Sequence, residues 1–124
     1  MTAGHTVSCL ARYANDHTGG MVAFFNMTTG ASTLVILAPP PGATFSGNTA
    51  EWIMEAPDGG EPISSLPQFT PVVFTSAICS SPDNTAGNPG GGDVFNIVGF
   101  GKTLTSVTPG QETVTIDYAD PTAH

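Results

Sequence analysis

The sequence is poor in basic residues. Its 124 residues include only Arg12 and Lys102 as basic residues, against ten acidic residues, so the formal net charge is -8. Binding to nucleic acid or to an anionic membrane surface needs clustered basic side chains. The composition therefore argues against both classes of partner.

Charge of either sign is scarce, and long apolar runs are missing. Charged residues make up 10% of the chain, and no stretch approaches the roughly 20 apolar residues that span a bilayer. Residues 1–5 show neither the basic nor the apolar region of a signal peptide. The chain is then either cytosolic or a mature or trimmed secreted chain. With so few charged residues, the surface must consist largely of hydroxyl and backbone groups. Such a surface favours a secreted chain, so an extracellular location is predicted.

Sustained helical periodicity is also absent, while 15 glycines and 11 prolines punctuate the whole length. Short apolar or alternating segments between turn residues are typical of an all-β protein. The predicted fold is an antiparallel β-sandwich of the jelly-roll or concanavalin-like kind, complete or as part of a two-sheet fold. One domain is predicted over residues 1–120, with a tail at 121–124. Eight strands are predicted, at 5–14, 21–27, 32–38, 49–55, 71–78, 94–98, 103–107 and 112–118, with a flexible loop at 79–92.

The third predicted strand is apolar on both faces, because Leu34, Val35, Ile36 and Leu37 follow one another. Strands of this kind are usually covered on both sides. The pattern predicts that this strand lies inside a sandwich or at an interface.

Residues that could bind a metal or form a disulfide are few and scattered. Cys9 and Cys79 could form one bridge, but free thiols buried among apolar residues are the preferred interpretation. The histidines at 5, 17 and 124 match no metal-binding pattern. Oxygen ligands for calcium could come from Asp83, Asn84, Asn88 and Asp93, yet their spacing fits no known loop. No metal and no cofactor are predicted.

Asn26-Met27-Thr28 is a sequon for N-glycosylation and falls at a predicted turn. It makes Asn26 a candidate glycosylation site if the chain is secreted.

The densest group of chemically useful residues is the segment 49–55. Side chains alternate along a strand, so Glu51, Ile53 and Glu55 share one face, while Trp52 and Met54 take the other. The two glutamates are then about 13 Å apart, too far to share a proton or flank one glycosidic bond. One glutamate could be catalytic; the plainer alternative is two solvated or hydrogen-bonded strand glutamates, with Trp52 in the core.

The motif Ala50-Glu51-Trp52-Ile53-Met54-Glu55 resembles the signature strand of the glutamic peptidase family (eqolisins, peptidase G1), the acid endopeptidases of filamentous fungi. The resemblance extends in order along nearly the whole chain. It includes Ala3–Val7, with His5 in place of an acidic residue, the Asn26–Gly30 hairpin, Pro71–Ser76 and the closing strand Thr113–Tyr118.

This resemblance implies a β-sandwich with a substrate groove and assigns the catalytic carboxylate to Glu55. The glutamate would act as general base on the attacking water and then as acid toward the leaving amine, with a glutamine binding the oxyanion. Such a base suits acid pH, and a neutral amide keeps its charge state there. The implied substrate is a polypeptide, and Glu51 and Ile53 are candidate groove residues.

The sequence departs from the family where the catalytic glutamine is concerned. That glutamine belongs to a part of the family fold upstream of the Ala3–Val7 match. The glutamines present, Gln68 and Gln111, lie in a predicted loop and turn and match no catalytic motif. Ser46 stands where the family often has a cysteine.

Two hypotheses follow. The chain is the C-terminal part of a glutamic peptidase, incomplete by itself and contributing Glu55, or it is a non-catalytic β-sandwich module for binding or structure. Under either hypothesis, the strand that is apolar on both faces, Leu34–Leu37, predicts self-association into a homo-oligomer or pairing with a complementary N-terminal chain.

Overall fold

The computed structural model describes residues 4–14, 18–55, 66–81, 83–99 and 101–119. It divides into two compact units, residues 1–49 (unit 1) and 50–124 (unit 2). The described residues form ten strands and one short 3₁₀ turn, and every strand pair is antiparallel. The all-β, antiparallel prediction is confirmed.

Unit 1 is a three-stranded meander. Its strands are β1 (Val7–Tyr13), β2 (Gly20–Asn26) and β3 (Ser32–Leu37), in the order β1-β2-β3. The ladder is continuous, with Leu10 opposite Ala23 and Ala23 opposite Leu34. Two strands of seven residues and one of six, joined by short connections, reproduce the predicted segments to within a few residues.

The residues after β3 return to the sheet at its Tyr13–Gly20 end. The Tyr13 hydroxyl donates a hydrogen bond of 3.5 Å to the Gly47 carbonyl. Gly47 has a φ of +62°, and a Cβ there would overlap the Tyr13 ring. Glycine is therefore required at this position for two reasons, the left-handed backbone and the close approach of the ring.

None of the described residues of unit 1 is buried. Along β3, Leu34 is 56% exposed and Ile36 72% exposed. The described part of the chain therefore does not cover both faces of this strand, which contradicts a place inside a sandwich formed by this chain alone and leaves the interface as a prediction. β3 is also the edge strand of its sheet, so its outer backbone groups have no ladder partner among the described residues.

Unit 2 contains a second three-stranded sheet in the order β4-β10-β9. These strands are β4 (Val72–Thr75), β9 (Thr105–Pro109) and β10 (Thr113–Tyr118). Two small hairpins accompany the sheet, β5 (Cys79–Ser80) with β6 (Ala86–Gly87) and β7 (Val98–Gly99) with β8 (Lys102–Thr103). The 3₁₀ turn is Pro89–Gly91.

A small core lies in unit 2 and centres on the connection between β8 and β9. Leu104 and Thr105 are each 1% exposed, and the other buried residues of unit 2 include the apolar side chains of Ala77, Val114 and Ile116. The backbone of Leu104 donates to the Ile97 carbonyl at 2.8 Å and accepts from the Ala119 N–H at 3.0 Å. The Thr105 hydroxyl accepts from the Ile97 N–H at 2.8 Å. These bonds satisfy polar groups that burial would otherwise leave unpaired.

Four predicted elements need correction. The segment 49–55 is not a strand, because it has no ladder partner among the described residues. The strand predicted at 94–98 reduces to Val98, the first residue of β7. The strand predicted at 103–107 is interrupted at Leu104, whose backbone bonds to neighbours outside a ladder. The loop predicted at 79–92 contains the β5–β6 hairpin and the 3₁₀ turn, since its Gly and Asn residues build tight turns.

Both cysteines are free, as preferred from the sequence, but they are not buried. Cys9 is exposed in β1 and Cys79 is half-buried in β5. Within the described residues, no helix is long and apolar enough to cross a membrane.

Candidate functional site

The segment that carries Glu51 and Glu55 alternates in exposure although it is not paired in a sheet. Glu51, Ile53 and Glu55 are exposed, whereas Trp52 and Met54 are half-buried. The two faces predicted from the sequence are therefore distinguished by solvent exposure. Trp52 contributes to packing but is not a buried core residue.

Glu55 lines an open cleft of about 280 Å³ within unit 2. Five of the seven described lining residues are apolar, and the other two are Glu55 and Gln68. The apolar members are Met54, Leu66, Pro67, Phe69 and Val72. The surface of this cleft is thus almost wholly apolar, although Glu55 and Gln68 are among its lining residues.

Strand pairing and one aromatic contact position the wall of this cleft. Val72 is the first residue of β4 and lies opposite Ile116 of β10. Phe69 packs edge-on against Tyr118 of β10, with ring centroids 5.7 Å apart and an interplanar angle of 77°. Such a contact is favourable beyond the apolar area that it buries. It attaches the segment around Gln68 to the central strand of the sheet.

The other two groove candidates lie outside the cleft. Glu51 and Ile53 share the exposed side of the segment with Glu55, yet neither is among the described lining residues. The structure therefore brings Glu55, but not Glu51, to the concave surface. Their roles toward a substrate stay predictions.

Gln68 is the residue that motif reasoning set aside and the structure brings to the cleft. It shares the concavity with Glu55, whereas Gln111 is exposed in the turn between β9 and β10. A signal was present in the sequence, because Gln68 is the one polar residue in the run Leu66-Pro67-Gln68-Phe69. A polar residue in an apolar run indicates that Gln68 is exposed to solvent, but it does not show which part of the protein surface Gln68 belongs to.

A second open cleft, of about 400 Å³, lies in unit 1. It includes Arg12, Tyr13 and the backbone around Gly20, together with the apolar side chains of Met21 and Ile36. No carboxylate is among its described lining residues. It is the larger of these two clefts, but its described lining residues offer no carboxylate for the predicted general acid–base catalysis.

The loop considered for calcium uses its carboxylate locally. Asp83 accepts hydrogen bonds from the Ser81 hydroxyl and from the Thr85 N–H. These bonds stabilise the ionised form and lower the pKa of Asp83 from 3.8 to about 2, the Ser81 bond contributing most. Among the described residues, no three His, Cys, Asp or Glu side chains are grouped as metal ligands.

The sequon residue Asn26 is fixed at the end of β2. Its Oδ1 accepts from the N–H groups of Thr28 and Thr29, at 3.0 and 3.1 Å. This orientation leaves Nδ2 to donate to Nδ1 of His5, 2.9 Å away. His5 is half-buried, and the other two histidines lie outside the described residues. Glycosylation of Asn26 stays a prediction.

Comparison with known proteins gives consistent results. The sequence model of the peptidase A4 family matches residues 1–118. Aspergillopepsin-2 from Aspergillus niger is 31% identical over 113 residues, which cover 85% of this chain and 37% of that protein. The chain thus spans well under half the length of this relative.

The fold has a solved counterpart. The crystal structure of aspergilloglutamic peptidase from Aspergillus niger superposes with a TM-score of 0.83 and 24% sequence identity. The match covers 96% of this chain and 69% of that chain. At this identity the likeness supports the fold, and it bears out the predicted β-sandwich class.

Proposed function

Because the chain belongs to the peptidase A4 family, the glutamic peptidases, we propose that it contributes to peptide-bond hydrolysis by a glutamate-activated water. The catalytic residue is Glu55. The observation that carries this proposal is the exposure of Glu55 on an apolar cleft. A carboxylate buried in the core, or on a flat surface, could not bring a water to a peptide carbonyl.

The proposed reaction uses one carboxylate twice. The Glu55 carboxylate takes a proton from water while the water oxygen bonds to the carbonyl carbon. The resulting tetrahedral oxyanion collapses, the carbon–nitrogen bond breaks, and Glu55 returns its proton to the leaving amine. Glu55 ends ionised, so no other reactant is consumed. Positioned acid–base catalysis of this kind typically contributes 10²–10⁴-fold, and a carboxylate base matches acid pH.

The substrate is proposed to be a polypeptide with an apolar side chain next to the cleaved bond. The walls formed by Leu66, Phe69 and Val72 would bury such a side chain, at about 25 cal/mol per Å² removed from water. Glu51 and Ile53 are proposed to contact the substrate further along the chain. No metal or cofactor takes part in the proposed reaction.

A second polypeptide is proposed to cover unit 1, either another copy of this chain or a complementary N-terminal chain. Support comes from the exposed apolar side chains of β3 and from the 31% of the solved counterpart that the match leaves uncovered. Secretion is proposed as well, supported by the low charge content and the Asn26 sequon.

The alternative is a non-catalytic module of the same family that binds or self-associates. The exposed apolar sheet of unit 1 favours it, because large exposed apolar surfaces mark interaction sites. This alternative needs no chemistry at Glu55, and a single substitution separates the two proposals.

The test is cleavage of a denatured protein at acid pH by the wild type and by Glu55→Gln. We expect the variant to lose 10²–10⁴-fold in kcat, because glutamine cannot accept the proton. Glu112→Gln, which makes the same change in an exposed turn away from the cleft, is the control and should keep full activity. Equal activity of Glu55→Gln and the wild type would eliminate the catalytic proposal and leave the alternative.

A further inference from the structure

We infer that one face of the unit 1 sheet docks a polypeptide that places an acidic side chain beside Arg12, at the cleft of unit 1. This inference rests on the proposal that a second polypeptide covers unit 1, and it names the chemistry of that partner. It does not depend on the role of Glu55.

The register of the sheet puts Arg12 on an otherwise apolar face. Arg12 of β1 lies opposite Met21 of β2, and Met21 lies opposite Ile36 of β3. Residues directly opposite one another in an antiparallel ladder share one side of the sheet, and alternation adds the residues two positions away in each strand. The resulting surface, here called the Arg12 face, comprises Leu10, Arg12, Met21, Ala23, Leu34 and Ile36.

The cleft at the end of the Arg12 face arises from a change in side-chain size. Ala14 and Gly19 continue the β1–β2 ladder, because the Ala14 N–H donates to the Gly19 carbonyl at 2.7 Å. Both residues are small, whereas Arg12 and Met21 in the neighbouring row are large. A Cβ built on Gly19 would meet only the Leu37 carbonyl oxygen, at 4.0 Å. The cleft measures about 400 Å³, which is within the usual range of ligand pockets.

Arg12 makes no hydrogen bond and no ion pair within the part of the chain that the structure describes. The described residues of unit 1 include no acidic residue that could pair with it. A guanidinium group presents its N–H donors in a planar fork that matches the two oxygens of a carboxylate. A carboxylate of the partner would therefore meet a complementary cation that has no internal contact to break.

The same facts favour an acidic partner over a second copy of this sheet. The described residues of unit 1 offer no carboxylate to the Arg12 of another copy, so an isologous contact through this face would cover two guanidinium groups without a counter-charge. An uncharged apolar segment would likewise remove Arg12 from water without compensation. A segment with one acidic residue among apolar ones covers the apolar side chains and pairs the cation.

Nucleic acid and anionic membranes do not fit this surface. Both need clustered basic side chains, and Arg12 is the single basic residue of unit 1. One cation on an apolar face matches one acidic side chain of a polypeptide.

Arg12 would determine the orientation of the partner more than its affinity. Exposed ion pairs add little affinity, whereas the placement of charge sets the register and disfavours wrong partners. Most of the affinity would come from burial of the apolar side chains of the Arg12 face. Leu10 is 50% exposed and Ile36 72% exposed, so much of their surface is available for burial.

Peptide binding to the full chain at pH 7, where a glutamate side chain is ionised, tests the inference. The probe is a short blocked peptide in which leucine alternates with serine around one central glutamate, and a second peptide has glutamine there. We expect the glutamate peptide to bind about fivefold more tightly, near the upper limit for an exposed ion pair. In NMR titrations it should shift the methyl signals of Met21 and Ile36.

Variants of the chain separate the charge from the shape of the cleft. Arg12→Gln should bind both peptides equally, and Arg12→Glu should prefer a third peptide with lysine at the centre. Lys102→Gln removes the other basic residue, which is exposed in β8, and should keep the preference for glutamate. Gly19→Leu fills the cleft and should weaken binding of the glutamate peptide at least about tenfold. Unchanged unfolding midpoints show that these effects are not losses of folding.

Several outcomes would overturn the inference. They are equal binding of the glutamate and glutamine peptides by the wild type, no binding of either, and a preference that survives Arg12→Gln. A stable dimer that Ile36→Ser dissociates and Arg12→Gln leaves intact also overturns it, because a second copy then covers this face.

The peptide could instead bind in the cleft of unit 2, as a substrate would. Methyl shifts confined to Met54 and Leu66 would identify that site and overturn the inference without affecting the catalytic proposal. Conversely, equal cleavage by Glu55→Gln and the wild type would eliminate the catalytic proposal and leave peptide binding at Arg12 unchanged. The two proposals therefore fail separately.

Discussion

Unit 1 has the longer strands and unit 2 has the core. The three strands of unit 1 pair along their whole length, yet none of the described residues there is buried. Unit 2 is built from strands of two to six residues and surrounds Leu104 and Thr105 with apolar neighbours. Long regular strand pairing and burial of side chains thus occur in different units of this protein.

The two units also differ in charge. In unit 1 the charges of Arg12 and Asp16 cancel, so Lys102 and nine acidic residues place the whole net charge of -8 in unit 2. A neutral sheet with exposed apolar faces can approach another polypeptide without repulsion, whereas an acidic unit resists contact with a copy of itself. The comparison supports the proposal that unit 1 is the part of the chain that associates with another polypeptide.

The largest expected difference between the units is in the unfolding free energy that is lost when a leucine is shortened to alanine. Leu104→Ala should lower the free energy of unfolding by about 2–5 kcal/mol, because it opens a cavity in a packed core. Leu34→Ala, at a side chain that is 56% exposed, should cost well under half as much. Denaturant unfolding of both variants measures the difference. A cost at Leu34 equal to that at Leu104 would mean that another polypeptide covers unit 1 in solution.

An intermediate effect is expected at the β2–β3 turn, which is held by hydrogen bonds and not by burial. Asn26→Ala removes two bonds to the Thr28 and Thr29 N–H groups and one to His5. The expected cost is about 1–2 kcal/mol of unfolding free energy. Asn48→Ala removes one exposed bond to Ser46 and serves as the control. Equal costs for the two variants would contradict the structural role of Asn26.

The smallest effect is expected in the acidic unit, at the loop between β5 and β6. The pKa of Asp83 is lowered from 3.8 to about 2 by its bonds to Ser81 and Thr85. A lowered folded-state pKa means that the loop is favoured above pH 3.8 and loses this contribution as the pH falls toward 2. NMR titration of the Asp83 carboxyl group and the Thr85 N–H should follow one curve. A midpoint near 3.8 would show that these bonds are absent in solution.

Much of the fold could be predicted from the sequence, and the failures have a common cause. The three strands of unit 1 and β10 were predicted closely because alternation and turn residues are local signals. The segment 49–55 has the pattern of a strand, but a strand also needs a neighbour, which a pattern does not show. Leu34–Leu37 is similar, because apolar residues on both faces indicate a need for cover but not the partner that provides it.

The residues of the candidate site also differ in how far the sequence could predict them. Glu55 was proposed from a motif, because resemblance transfers roles position by position, and its catalytic role stays a prediction. Gln68 was not singled out, because its place among the residues that line the cleft depends on how the segment before β4 packs on Tyr118. Contacts between residues in different loops arise from tertiary packing, which local reasoning does not reach.

Two glycines in the loop that follows β3 differ in the substitutions that they tolerate. Gly42 and Gly47 both have left-handed backbones, with φ of +82° and +62°. Nothing lies near a Cβ built on Gly42, so asparagine, which tolerates this backbone, is an acceptable replacement and the position could carry a label or an inserted peptide. At Gly47 the Tyr13 ring occupies the same space, so even asparagine would dislodge the loop from its sheet.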